Sequence, residues 1–245
     1  MNPSMTTGPL VTLDGVGKSF TLHLRGGTRL GVVSGVSFSV DPGECVVLGG
    51  PSGAGKSSLL RMIYGNYRCD TGRILIRDGG EMVDVASAGP RRVLALRRIT
   101  MGYVSQFLRV IPRVGAREIV AAAGREGGLD AETASRRAAE MLAALNLPER
   151  LWDLPPATFS GGEQQRVNIA RGLIAERPVL LLDEPTASLD ARNRAVVVEM
   201  IRRKSAAGVA MIGIFHDEDV RDAVASRVVD VTRFSAAPEP QADAA

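Results

Sequence analysis

Residues 45–64 impose the strongest constraint on what this chain can become. Cys45-Val46-Val47-Leu48 is a short unbroken apolar run, the pattern of a strand buried on both faces, and glycines follow it at once. Gly50-Pro51-Ser52-Gly53-Ala54-Gly55-Lys56-Ser57 then fits G-x-x-x-x-G-K-[ST], and from Lys56 through Tyr64 the pattern is helical. A strand that runs through a glycine-rich loop into a helix is the setting in which this motif holds phosphate. The glycines let backbone N–H groups converge on phosphate oxygens, and the helix presents its positive dipole end to the anion. Gly50, Pro51, Ser52, Gly53, Ala54, Gly55, Lys56, Ser57 and Ser58 are therefore candidate ATP-binding residues. Lys56 is expected to bridge the β- and γ-phosphates, and the Ser57 hydroxyl to coordinate Mg²⁺.

Val179-Leu180-Leu181-Leu182-Asp183-Glu184 supplies the second half of such a site, an apolar strand that delivers two carboxylates to its C-terminal end. In a parallel sheet this strand is expected beside the phosphate loop. Asp183 is expected to hold the Mg²⁺ hydration shell, and Glu184 to accept a proton from the water that attacks the γ-phosphate, or at least to orient it.

The rest of the chain fills in around these two segments. At 245 residues and 45% hydrophobic content it can bury a substantial core, and we expect one domain over 10–234, with flexible tails at 1–9 and 235–245. Residues Leu10 to Phe20 and Val36 to Val40 alternate like strands with one wet face, separated by a turn or hairpin from Leu24 to Gly35. Strands at Arg73 to Arg77 and Ala210 to Phe215, and helices across Ala116 to Leu147 and from about Gln164 to Ala175, complete the pattern. Strands alternating with helices imply an α/β fold with a mainly parallel sheet core, preceded by an antiparallel β subdomain. The Ala-, Glu- and Arg-rich helices form an inserted helical lobe, placed at about 107–172. No apolar run reaches the length of a membrane span, and Met1 to Pro9 lack the features of a signal peptide, so a cytoplasmic protein without direct membrane insertion is expected. Cys45 and Cys69 are read as ordinary thiols.

Phe159-Ser160-Gly161-Gly162-Glu163-Gln164-Gln165-Arg166, taken with the two motifs above, resembles the signature of ABC-type ATPases, and the similarity extends over almost the whole chain. Glu163 stands where the common form has Gln. The resemblance implies the P-loop ABC ATPase fold, ATP and Mg²⁺ as cofactors, and a second ABC ATPase subunit whose ATP is contacted by Ser160, Gly161, Gly162 and Glu163. Gln106 resembles the Q-loop residue that reaches Mg²⁺ and the attacking water. Ser188-Leu189-Asp190 resembles the D-loop, so Ser188 and Asp190 are implied in communication across the dimer. His216, after a strand, resembles the switch histidine that bonds the γ-phosphate, and Phe20 resembles the aromatic that stacks on adenine. Glu184, His216 and Gln106 are thus the implied catalytic set, with Ser57, Gln106 and Asp183 at the metal.

Segments outside ATP chemistry, among them Tyr64-Gly65-Asn66-Tyr67, Val104 through Arg113, Pro148 through Trp152 and Gly213 to Glu218, resemble the L subunit of the bacterial carbon-phosphorus lyase system. That resemblance implies an ATPase supporting formation of ribose 1-alkylphosphonate 5-triphosphate from ATP and phosphonate. Its implied partners are soluble lyase core subunits and either an identical chain or the related K-type subunit. A transporter ATPase that drives a membrane permease would share every catalytic motif and is the alternative. A nucleic-acid-associated ABC ATPase is suggested only by the basic balance and is set aside, because the chain carries one set of motifs and no long coiled-coil insertion. The net charge is +3, and Val85 to Arg117 holds Arg91, Arg92, Arg97, Arg98, Arg109, Arg113 and Arg117 without one acid. This stretch brackets Gln106, so Arg109, Arg113, Phe107, Leu108 and Ile111 are expected to form a docking surface.

Overall fold

The computed structural model describes residues 8–22, 28–108 and 112–236, which form two sheets and seven α-helices. The antiparallel sheet contains β1 (Val11–Leu22), β2 (Thr28–Val40), β4 (Thr71–Asp78) and β5 (Glu81–Asp84), in the order β2-β1-β4-β5. The turn or hairpin expected from Leu24 to Gly35 is partly strand, with β1 and β2 paired antiparallel across it. β2 already begins at Thr28, so the later part of this glycine- and arginine-containing stretch is strand, with register shifts in its ladder with β1.

The second sheet runs β6-β7-β8-β3-β9, built from β3 (Cys45–Gly49), β6 (Met101–Val104), β7 (Val179–Asp183), β8 (Ala210–Ile214) and β9 (Arg227–Asp230), and each of its pairings is parallel. β8 lies between β3 and β7, so the strand ending in Asp183 is not the immediate neighbour of the strand that feeds the phosphate loop. This corrects the simple adjacency expected from the sequence.

Every residue of β7 and β8 is buried, because the sheet has a core on each face. Val46, Leu48, Val179, Leu181 and Ile212 point into one core, shared with α1 (Lys56–Ile63) and the antiparallel sheet. Cys45, Val47, Leu180, Leu182 and Met211 point into the other, shared with α3 (Ala116–Glu126), α4 (Ala131–Ala144), α5 (Gly161–Leu173) and α6 (Ala191–Ala206). The period of two in strand geometry thus divides each strand between the two cores. Each fully buried Leu or Ile contributes roughly 1.5–3 kcal/mol, which fixes the register of the strands that carry the site.

Helix α2 (Pro90–Ile99) and α7 (Glu218–Val224) complete the set of α-helices. Pro90 sits in the first turn of α2, where its missing N–H costs nothing. The acid-free arginine stretch is not left uncompensated, since acids and carbonyls from other segments reach it. Arg92 pairs with Asp78 at 3.0 Å and Glu81 at 3.2 Å, and Arg117 pairs with Asp153 at 2.9 Å. Arg97 donates to the Tyr64 carbonyl at 2.9 Å and to Asn66 Oδ1 at 2.8 Å. Leu108, expected on an exposed docking surface, is only 8% exposed and packs in the core that holds α3 and α5, whereas Phe107 is 71% exposed. Arg109 and Ile111 lie outside the described residues. So do residues 1–7 and 237–245 of the two expected tails.

Candidate active site

β3 hands the chain to the phosphate loop at the C-terminal edge of the parallel sheet. Gly55 is the N-cap of α1 at φ 95°, a left-handed conformation that favours glycine, and a Cβ there would lie 2.9 Å from methyls of Val32 and Val33. The antiparallel sheet therefore closes directly over the loop. Inside the loop the Lys56 ammonium donates to the carbonyls of Gly50 at 2.6 Å and Pro51 at 2.8 Å. These bonds hold the cation across the mouth of the loop, where a phosphate oxygen can replace a carbonyl as acceptor.

Although β8 separates their strands, Ser57 Oγ and Asp183 Oδ1 meet at 3.3 Å. The other carboxylate oxygen, Oδ2, accepts from the Tyr103 hydroxyl at 2.8 Å. Tyr103 is on β6, stacks against Tyr64 with ring centroids 4.9 Å apart, and has its hydroxyl pKa raised well above the usual phenol range by burial and then by Asp183. Tyr103 was not singled out from the sequence; its place one strand over from Asp183, in register with Leu181, becomes visible only once β6 pairs with β7.

Glu184 follows β7 at φ 52°, an uncommon conformation for a side chain of this size. Its backbone N–H donates to the Ile214 carbonyl at 3.0 Å, which fixes the turn. Gln106 Nε2 donates to Glu184 Oε2 at 2.9 Å, and His216 Nε2 lies 2.8 Å from Glu184 Oε1. The structure thus brings together the three residues expected to act in catalysis. Glu184 is the sheltered member at 14% side-chain exposure, and His216 is open at 62%.

Ser160 caps α5, and Glu163 completes a capping box: the Ser160 amide and hydroxyl each donate to Glu163 Oε2 at 2.8 Å. These bonds, the hydroxyl first, hold the Glu163 carboxyl below its usual pKa. A Cβ on Gly162 would lie 2.9 Å from the Ser188 carbonyl, so the Ser160–Glu163 turn and the Ser188 loop touch through a position that only glycine fits. Asp190 caps α6 by accepting from Asn193 N at 2.8 Å. Phe20, half-buried on β1, meets Tyr67 edge-on at 5.5 Å, with the Lys18 ammonium 5.2 Å from its ring centre.

Two buried amides on α5 escaped the sequence reading. Gln165 Nε2 donates to the Pro185 carbonyl at 2.9 Å, and Asn168 Nδ2 donates to the Ser105 carbonyl at 2.5 Å. They fasten the backbone beside Glu184 and beside Gln106 to the same helix. The sequence signal is their polarity on an otherwise apolar helix face, three residues apart.

The donor set fits a nucleoside triphosphate with Mg²⁺. A hydroxyl and a carboxylate 3.3 Å apart are hard oxygen ligands of the kind Mg²⁺ takes alongside substrate phosphates and water.

Comparison with known proteins agrees. Residues 33–187 match the profile of the family described as ABC transporter. The chain is 37% identical over 225 residues to a macrolide export ATP-binding/permease protein of Nitrosomonas europaea, covering 91% of this chain and 33% of that protein. It therefore spans about a third of such relatives. An uncharacterized ABC transporter ATP-binding protein of Thermotoga maritima is 36% identical over 197 residues, covering 80% of this chain and 82% of that one. Among solved structures, the ATP-binding cassette MJ0796, dimeric in a post-hydrolysis state with ADP and Pi, superimposes with a TM-score of 0.80 at 26% identity, over 91% of this chain and 95% of that chain.

Proposed function

The chain belongs to the ABC transporter ATPase family, and from that premise we propose that it is the ATP-hydrolysing cassette of a larger machine, working as one half of a cassette pair. The convergence of Gln106 and His216 on Glu184, next to the Ser57–Asp183 pair, is the observation that carries this reading. The loop from Gly50 to Ser58 binds the phosphates through backbone amides, and Lys56 exchanges its carbonyl partners for phosphate oxygens. Ser57 and Asp183 would hold Mg²⁺, which would supply charge neutralisation on those oxygens. Tyr103 keeps Asp183 aimed at Ser57. Glu184 orients the attacking water and takes up its proton, with Gln106 and His216 fixing the carboxylate so that little reorganisation is needed. Ser160 and Gly162, at the N-terminus of α5, meet the nucleotide of the partner cassette, and Phe20 stacks on adenine.

The partner of the pair is a membrane permease on the reading that the comparisons support better. The relatives are an export ATP-binding/permease protein and a transporter ATP-binding protein, and no described helix of this chain is long and apolar enough to cross a membrane, so the permease would be a separate chain or segment. A second reading, the carbon-phosphorus lyase L subunit, rests on the segments around Tyr64-Gly65-Asn66-Tyr67, Val104 through Arg113 and Gly213 to Glu218, which ATP hydrolysis does not require. On that reading the partners are soluble lyase subunits and the second cassette is a K-type subunit. Affinity purification of the tagged chain from phosphate-starved cells, with and without detergent, separates the two. Recovery of an integral membrane protein only with detergent supports transport, and recovery of soluble phosphonate enzymes under both conditions overturns it.

A further inference from the structure

At the opposite edge of the parallel sheet from the phosphate loop, a cleft of about 590 Å³ opens where β7 and β8 begin. It is at least one strand length, roughly 17 Å, from the nucleotide. Its walls are apolar: Met141 of α4, Leu173 of α5, Met200 of α6 and Val209 before β8. Lys204, near the end of α6, lines the same space, and Arg177, just before β7, lines it with a side chain that reaches on to the Arg98 carbonyl.

The cleft carries more positive than negative charge. Glu176, the acid in its wall, is engaged by Arg137 from outside the cleft at 3.0 Å, and Arg203 is engaged by Glu199 at 2.8 Å. The Lys204 ammonium makes no hydrogen bond or direct ion pair with any described residue, although the charge of Glu176 acts on it, and the Arg177 side chain donates to the Arg98 carbonyl over a long 3.4 Å. Both cations are partly stripped of water, and burial is the first cause that lowers the pKa of each. A cation partly buried in an apolar wall without a direct ion pair is costly, and a bound anion recovers that cost. A volume of this order with a few polar groups in apolar walls is the ordinary form of a small-molecule site.

We propose that this cleft binds a small organic anion with an apolar body, its acidic group on Lys204 and its body against Met141, Leu173, Met200 and Val209. The ligand then bridges the lobe helix α4 and the core helix α6.

The probe is 1-anilinonaphthalene-8-sulfonate, an apolar-bodied monoanion that fluoresces when shielded from water, with neutral N-phenyl-1-naphthylamine as its uncharged counterpart. The parent chain is expected to bind one equivalent of the anion saturably. Lys204→Met should weaken the anion about tenfold and leave the neutral dye within about twofold. Met200→Trp, which fills the cleft, should exclude both dyes. Nucleotide affinity, measured alongside, reports that each variant is folded. Unchanged anion binding by Lys204→Met, equal weakening of both dyes, or no saturable binding to the parent chain overturns the proposal.

Discussion

The thiol of Cys45 lies fully buried at the start of β3, its backbone N–H donating to Ser226 Oγ at 3.0 Å. Burial, and then the charge of Glu44, push its pKa up to about 12 from the ordinary value of 9.0. The folded state therefore holds a proton that the unfolded chain gives up above pH 9. Its contribution is complete below about pH 9 and declines as pH rises towards 12, by at most about 1.4 kcal/mol per pH unit. Urea unfolding followed from about pH 8 to pH 10 should show a steeper loss of stability for the parent than for Cys45→Ala. An identical slope would show that Cys45 ionises in the native protein. The same reasoning makes Cys69, only partly buried, the thiol that native-state reagents reach first. At this scale the sequence was informative wherever chemistry prescribes a residue type, as at Lys56, Ser57, Asp183 and Glu184. It could not reveal Tyr103, because a tyrosine in a short strand looks the same whether its hydroxyl meets water or a carboxylate.

Helix α5 ties three segments together, and its polar side chains carry the load that its apolar ones cannot. Arg166 donates to the Asn146 carbonyl at 2.8 Å and so caps the end of α4, Gln165 holds Pro185, and Asn168 holds Ser105. Removing the Asn168 amide leaves a carbonyl without its buried partner and frees the segment that positions Gln106. Asn168→Ala is expected to cost roughly 1–3 kcal/mol in urea unfolding. Its kcat for ATP should fall on the order of tenfold with KM nearly unchanged, because the loss falls on orientation rather than on phosphate binding. A parallel rise in KM would place Asn168 in nucleotide binding instead. The elements themselves were unevenly legible. β3, β7 and β8 are continuous apolar runs that only a sheet with a core on each face explains, and α3 and α4 show helical spacing. β6 and β9 are four residues each, too short for periodicity to register, and their places at the two edges of the sheet are set by pairing with β7 and β3. The order β6-β7-β8-β3-β9 has no local signature, which is why β8 was not expected between the two halves of the site.

Across the whole molecule, Glu184 stands where the β7 turn, Gln106 and His216 meet, so its carboxylate reports on several segments at once. Replacing it with glutamine keeps the size but turns one oxygen into an amide that cannot accept a bond. The contact made at that atom, with Gln106 or with His216, must then exchange its donor and acceptor, and the group proposed as proton acceptor for the attacking water is gone. The phosphate loop is untouched, so Glu184→Gln should bind ATP as the parent does while hydrolysis falls roughly a hundred- to ten-thousand-fold. If cassettes pair with ATP sandwiched between the Gly50–Ser58 loop of one and the Ser160–Glu163 turn of the other, hydrolysis is what releases the pair. The slow variant should then accumulate as a dimer in ATP and remain a monomer in ADP, as read by light scattering on a sizing column. Lys56→Ala, which lacks the cation that holds the phosphates, should stay monomeric in both. A dimer that forms equally in ADP would mean that the nucleotide is not the bridge. An ATP-dependent dimer that appears only on mixing with a second, related cassette would mean that this chain supplies one half of an unequal pair, as the lyase reading allows. Hydrolysis by Glu184→Gln at the parent rate would remove Glu184 from the role of base and leave water orientation to Gln106 and His216.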